Sequence, residues 1–168
     1  MKKICLFIPV SLVIALTIVS FTTRQVHASK DQYVLLYYGA TSCYYCNLPE
    51  NIHNINTLAK TIGQKYIEVK KVMVCMDKDI KEGLTFINKY DSTWDEISIG
   101  SFYQNELAYQ YLNGTKIPGV PHVILLKRSY NDDNQYNVPV ASKTDILVDL
   151  VGGNAINKWI ADGFPISK

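Results

Sequence analysis

Cys43-Tyr44-Tyr45-Cys46 places two thiols about one helical turn apart. A pair at that spacing closes a disulfide with little change of backbone. A merely structural bridge would gain little stability from so short a loop. The chemistry that suits the pair is exchange: the thiolate is the form of cysteine that attacks another disulfide. Cys43 comes first, where the start of a helix offers unpaired amides that favour a thiolate. Cys46 lies further into the turn and reads as the resolving thiol. Asn47 rather than histidine follows Cys46, so the motif is not a haem attachment site.

The flanking segments must hold this pair. Residues 33–38 read Tyr-Val-Leu-Leu-Tyr-Tyr, an unbroken apolar run that predicts a strand buried on both faces. Gly39-Ala40-Thr41-Ser42 ends it, with Thr41 or Ser42 available as a helix cap. Leu48, Ile52, Ile55, Leu58 and Ala59 then recur at mostly helical spacing up to about residue 62. Pro49 should kink that helix or delay its regular part. Residues 66–76 predict a second buried strand through Ile67, Val69, Val72 and Val74.

Residues 78–113 read as helix in pieces. Leu84, Phe86, Ile87 and Tyr90 mark one piece; Leu107, Ala108, Tyr111 and Leu112 mark another, stopped by Gly114. Residues 92–100 fit neither period. Residues 120–127 predict a third strand, and the polar cluster at 129–137 predicts a hairpin return. Residues 146–151 predict the last strand. Gly152-Gly153-Asn154 leads into a short helix with Ile156, Trp159 and Ile160, capped by Asn154. A strand-helix-strand opening implies a parallel pair with a right-handed crossover, and the hairpin adds antiparallel strands. The expected class is α/β, a mixed β-sheet flanked by helices.

Gly119-Val120-Pro121-His122 leads directly into the third strand. Proline cannot donate to a sheet ladder, so it belongs at the strand's start. Val120–Pro121 is also a candidate cis bond. With both motifs in view, residues 33 to about 161 resemble the thioredoxin-fold superfamily. The matching pieces are strand-CxxC-helix, Gly-Val-Pro entering a strand, and a strand ending in Gly152-Gly153 before the final helix. The resemblance implies a thioredoxin-like sheet with a helical insertion, about residues 78–113, before the cis-proline strand. It implies a cis Pro121 beside the CxxC that holds its reactivity in check. It also implies a Val120 backbone that pairs with an extended substrate chain.

The chain departs from that pattern in several places. Tyr44-Tyr45 stands where thioredoxin has Gly-Pro and periplasmic disulfide oxidases have Pro-His. Tyr37 lies six residues before Cys43, where thioredoxin carries a buried acid. Ser42 replaces the usual tryptophan. Tyr44 and Tyr45 are expected to be exposed and to form an apolar rim for substrate.

The N-terminus addresses location. Lys2 and Lys3 precede an apolar run over residues 4–21, and Val26-His27-Ala28 closes the segment. That pattern predicts a secretory signal over residues 1–28 and one domain over 29–168. An uncleaved membrane anchor is the alternative, since the run is near the lower limit for spanning a bilayer. Either way the domain is expected outside the cytoplasm, periplasmic or secreted, where disulfides persist. Without Lys2, Lys3 and Arg24, 14 basic residues face 15 acidic ones. No basic, aromatic-interleaved run remains, which argues against nucleic acid as a partner. A hydrophobic content of 48% excludes a disordered chain.

The other chemical residues have plainer readings. Cys75 sits in an apolar strand and reads as a buried inert thiol. His53 reads as a solvated helix residue. His122 is either turned toward the CxxC or merely starts a strand.

Three functions compete. The first is an extracytoplasmic thiol–disulfide oxidoreductase with Cys43 and Cys46 as catalytic residues. It would act on cysteine-containing proteins, with no cofactor and no metal, and a membrane or soluble redox partner would recycle the pair. The second is a copper- or zinc-handling protein using Cys43, Cys46 and His122, though a closed zinc site lacks its fourth ligand. The third is a non-catalytic binding module on the same scaffold. Oxidase, reductase and isomerase share these residues. Tyr44-Tyr45 adds no charge to stabilise a thiolate, which argues against a strong oxidant.

Overall fold

The structure is a computed structural model that describes residues 31–91, 93–100, 105–112, 119–130 and 140–166. The expected signal segment, Gly114 and most of the polar cluster at 129–137 lie outside the described residues.

β1 (Asp31–Gly39) pairs in parallel with β2 (Lys70–Cys75), Leu36 opposite Val72. On its other side it pairs antiparallel with β4 (His122–Tyr130), Leu36 opposite Ile124. Neighbours on both edges and cover on both faces leave no solvated position, which is why residues 34–38 carry no charge. β5 (Ala141–Val151) returns from β4 as the expected antiparallel strand. It starts before residue 146, because the backbone ladder continues through polar Lys143 and Thr144 on the edge.

β3 (Glu96–Ile99) completes the sheet, parallel to β2 at the outer edge. The order is β3-β2-β1-β4-β5. The insertion over residues 78–113 is therefore not purely helical. It holds α2 (Ile80–Ile87), β3 and α3 (Glu106–Leu112). Four residues with Glu96 and Ile97 exposed have no period to read, so β3 exists through its pairing with β2.

β2 begins at Lys70 rather than near residue 66. Glu68 adopts a left-handed φ of 58°, and this reversal leaves Ile67 in solvent. α1 (Pro49–Thr61) starts at its proline, where the fixed φ and missing N–H suit the first turn. Pro49 thus delays the regular helix instead of kinking it. α4 (Gly153–Ala161) is capped by Gly152 rather than Asn154. Its φ of 87° is a conformation that glycine adopts at no steric cost.

α1, α2 and α4 cover one face of the sheet. Ile55, Leu58, Phe86, Ile156 and Trp159 pack there on Leu35, Tyr37, Met73, Val123 and Leu125. α3 covers the other face, with Ala108 and Tyr111 against Leu36, Tyr38, Val74 and Ile124. Gly39 ends β1 under α2. A methyl group there would lie 2.3 Å from the Phe86 ring, which is itself fully buried. Gly39→Ala is therefore expected to destabilise the fold by about 2 kcal/mol through overpacking. Urea unfolding checks this, and an unchanged midpoint would show that Phe86 has room to yield.

Candidate functional site

The mixed five-stranded sheet with helices on both faces is a thioredoxin-like α/β fold, and the two sequence motifs meet at one end of its sheet, where the Val120–Pro121 bond is cis. Tyr38 lies opposite His122 in the β1–β4 ladder. The segment leaving β1 therefore runs beside the segment entering β4. Cys43 Sγ sits 3.5 Å from the Val120 carbonyl oxygen, and the reduced thiol can donate to it. Gly152 N–H donates to the Pro121 carbonyl at 2.8 Å, fastening this loop to the start of α4.

Cys43 and Cys46 are joined in a disulfide with their Cα atoms 5.3 Å apart. Cys43 is partly exposed and Cys46 is fully buried. An outside sulfur can therefore approach Cys43 and not Cys46. Tyr44 and Tyr45 are 73% and 63% exposed, with their rings edge to face at 5.4 Å. The exposure expected of both tyrosines at this turn is present.

The helix expected to open at Cys43 is only a 3-10 turn, Tyr45–Asn47, and Leu48 is extended before α1 begins. So short a turn sums few peptide dipoles. The local donor to the Cys43 sulfur is the Cys46 N–H, at 3.0 Å. Neither Thr41 nor Ser42 caps the turn. Thr41 instead ties the loop to the β2–α2 connection and to the first turn of α2. Its N–H donates to Asp77 Oδ1 at 2.8 Å and its hydroxyl to the Glu82 carbonyl at 3.0 Å.

Asn47 holds the loop from the other side, a role that the residue pattern does not announce. Its Nδ2 lies within donor distance of the Ala40, Thr41 and Cys43 carbonyls, at 3.2, 2.9 and 2.5 Å. Two amide hydrogens serve three acceptors, so one is shared. Its Oδ1 accepts from Lys89 at 2.5 Å. An asparagine directly after a CxxC is the only signal the sequence offers for it.

A second group without an expected role lies beneath Cys46. The Tyr90 hydroxyl donates to the Cys46 carbonyl at 3.0 Å and sits 2.9 Å from the Tyr37 hydroxyl. Asn51 Nδ2 donates to Tyr37 at 3.2 Å and to the Cys46 carbonyl at 3.4 Å. All three residues are buried. Burial pushes the Tyr37 phenol up to about 12 and Tyr90 further still, so both remain neutral at physiological pH. Tyr90 and Asn51 carry no sequence signal, since Tyr90, just after α2, reads as one more apolar position and Asn51 as a helix-surface amide.

His122 does not join the cysteines, which corrects the alternative reading of a Cys43–Cys46–His122 metal set. Side chains alternate along β4. Val123 packs on the face that holds Cys46, so His122 packs on the other, its ring 5.8 Å from Tyr38. It pairs there with Asp149 through Nε2. Among the described residues no group of three His, Cys, Asp or Glu is placed to hold a metal ion. His53 is exposed, as expected. Among the described residues no helix is long and apolar enough to cross a membrane.

The chain matches no protein-family model and no curated protein. It is similar to several solved structures. A thiol-disulfide oxidoreductase from Bacteroides fragilis is 22% identical, with a TM-score of 0.49, over 78% of this chain and 80% of that one. A thioredoxin from Wuchereria bancrofti is 14% identical, with a TM-score of 0.46, over 80% of this chain and 84% of that one. A thioredoxin-like protein from Bacteroides caccae is 12% identical, with a TM-score of 0.45, over 78% of this chain and 40% of that one.

Cys75 is fully buried, with its thiol 3.8 Å from the Gly83 carbonyl. Burial, with the Asp77 charge adding to it, pushes its pKa up to about 12. Almost none is thiolate at pH 8, and the thiolate is the reactive form. Iodoacetamide at pH 8 is therefore expected to label Cys43 of the reduced, folded protein and to spare Cys75 until denaturant is added. Mass spectrometry reads the sites, and equal labelling of the two in the folded state would contradict this.

Proposed function

We propose that this protein is a thiol–disulfide oxidoreductase that works by dithiol–disulfide exchange at Cys43 and Cys46. The observation that carries the reading is the asymmetry of the pair: an approachable Cys43 sulfur, backed by a buried Cys46, against the cis Pro121 loop. A structural bridge has no need of one open sulfur.

In the reducing direction the Cys43 thiolate attacks a substrate disulfide and forms a mixed disulfide. The departing substrate thiolate takes up a proton. The Cys46 thiolate then attacks Cys43 Sγ, forms the 43–46 bond and releases the second substrate thiol. Two electrons have passed to the substrate. In the oxidising direction the same steps run backward, beginning with a substrate thiolate attacking Cys43. Exposure alone selects Cys43 as the sulfur that meets the substrate.

Val120 and Pro121 are the backbone wall beside Cys43 on which an extended substrate chain lies. Tyr44 and Tyr45 are the apolar rim that holds the substrate's side chains. The substrates are cysteine-containing proteins, and no cofactor takes part. A redox partner, membrane-bound or soluble, recycles the pair. The charged start, apolar run and Val26-x-Ala28 exit of residues 1–28 support export, with the domain at 29–168 acting outside the cytoplasm.

Cys46→Ala is expected to hold a disulfide-containing substrate on Cys43, as an adduct that survives a non-reducing gel and dissolves in dithiothreitol. Cys43→Ala should hold none. A Cys46→Ala protein that captures nothing from reduced-and-reoxidised model substrates or from cells would reject the reading. The rim has its own test. Replacing both Tyr44 and Tyr45 by alanine should raise KM for a protein disulfide about fivefold, because exposed aromatics anchor interfaces. Turnover of a small aromatic-free disulfide should stay unchanged. Equal loss on both substrates would assign the tyrosines to the turn's stability instead.

A further inference from the structure

Thiol–disulfide exchange at Cys43 leaves one feature of the site unused. Two buried polar side chains, Tyr90 and Asn51, converge on the Cys46 carbonyl and are joined through a third, Tyr37, and their donor directions follow from counting. Tyr90 spends its hydroxyl proton on the Cys46 carbonyl, at 3.0 Å. The 2.9 Å contact between the tyrosine oxygens must then be donated by Tyr37. Tyr37 in turn accepts from Asn51 Nδ2, at 3.2 Å. The amide also reaches the Cys46 carbonyl directly, at 3.4 Å. The result is a closed ring in which Asn51 donates to Tyr37, Tyr37 to Tyr90, and both Tyr90 and Asn51 to Cys46.

We propose that Tyr90 and Asn51, linked through Tyr37, position the resolving cysteine by clamping the Cys46 carbonyl, and so set the rate at which a mixed disulfide is released. This inference rests on the exchange function proposed above. Three observations support it.

The Cys46 peptide belongs to a three-residue 3-10 turn whose following residue, Leu48, is extended. No long helix fixes its orientation, so the ring supplies what a regular helix would. The three residues come from three separate elements, β1, α1 and the segment just after α2. The ring therefore refers Cys46 to the core rather than to its own loop. Its members are also neutral. Buried hydroxyls that stay protonated hold the same hydrogen bonds across the working pH range, so the clamp is a geometric device and not a proton acceptor.

Cys43 is held differently. Its carbonyl is bound by Asn47, and its sulfur accepts from the Cys46 N–H. The two halves of the reaction thus depend on different side chains. In the first, Cys43 attacks and the substrate disulfide breaks. In the second, the Cys46 thiolate attacks Cys43 Sγ, the 43–46 bond forms, and the substrate thiolate leaves and is protonated by water. Only the second needs Cys46 Sγ aligned behind the mixed disulfide, where a small misplacement is costly.

Rapid-mixing kinetics of the reduced protein with a fluorogenic peptide disulfide separate the two halves. Attack is read as a rate proportional to peptide concentration, and resolution as a concentration-independent release. Tyr90→Phe is expected to slow release about tenfold while attack changes less than twofold, as misalignment of one reacting group predicts. Asn51→Ala is the second variant, with the same signature expected, and serves where Tyr90→Phe does not fold. In the wild type itself, the Cys46 carbonyl carbon should show the downfield 13C shift of a doubly hydrogen-bonded carbonyl.

Unchanged release in either folded variant overturns the inference, and so does a parallel fall of attack and release. Were both variants unfolded, a Cys46 carbonyl shift without that displacement would overturn it. A wild-type protein that forms no mixed disulfide at all defeats the exchange reading beneath it, a result distinct from normal exchange with insensitive release.

Discussion

The register of β1 between β2 and β4 is the constraint that fixes the site. Tyr38 faces His122 across one ladder, and Gly39 faces Cys75 across the other. That register brings the end of β1 to the start of β4 and so sets Cys43 against Val120. It also sends Tyr37 to the face with Cys46 and Tyr38 to the face with α3. A slip of one residue would exchange the two faces and remove the Tyr37 hydroxyl from beneath the disulfide. Burial of β1 on both sides enforces the register, since any slip would have to repack both cores. The apolar run at residues 33–38 thus shapes the site as much as the core.

Within that frame, polar side chains do the fine placement. Asn47 fixes the loop before the disulfide, while Asn51, Tyr37 and Tyr90 hold the turn after its first cysteine. Thr41 and Asp77 add a tie to the end of β2. Buried polar groups are costly unless they are partnered. The bonded atoms of these side chains define one geometry more sharply than apolar packing does, while Asn51 Oδ1 and Asp77 Oδ2 are buried without a hydrogen-bond partner among the described residues. The loop therefore keeps a defined shape without a long helix behind Cys43.

Several features are readable from residues alone because their causes are local. A continuous apolar run forces a buried strand, and two thiols at CxxC spacing can close a disulfide, whereas the cis form of the Val120–Pro121 bond is implied by the family resemblance and not by the residues alone. Pro49 is legible as an interruption, and the structure decides that it delays the regular helix instead of kinking it. Other features are not readable, because their causes lie elsewhere in the fold. β3 has two exposed residues of four and exists only by pairing with β2. The turn at Glu68 that shortens β2 follows from a left-handed backbone that glutamate does not announce. His122 faces away from the cysteines because Val123 must face them. Asn47 and Asn51 look like ordinary helix-surface amides until β1 and α2 are packed around them.

Everything proposed for the site requires that the Cys43–Cys46 bond open and close in use. Its reduction potential is the quantity to measure, by equilibrating the folded protein with glutathione or dithiothreitol and trapping thiols. A value between about −270 mV, as in thioredoxin, and about −120 mV, as in the strong periplasmic oxidant, is expected of a working exchange pair. A value well below about −300 mV is the range of disulfides that serve structure, and it would contradict exchange at this site.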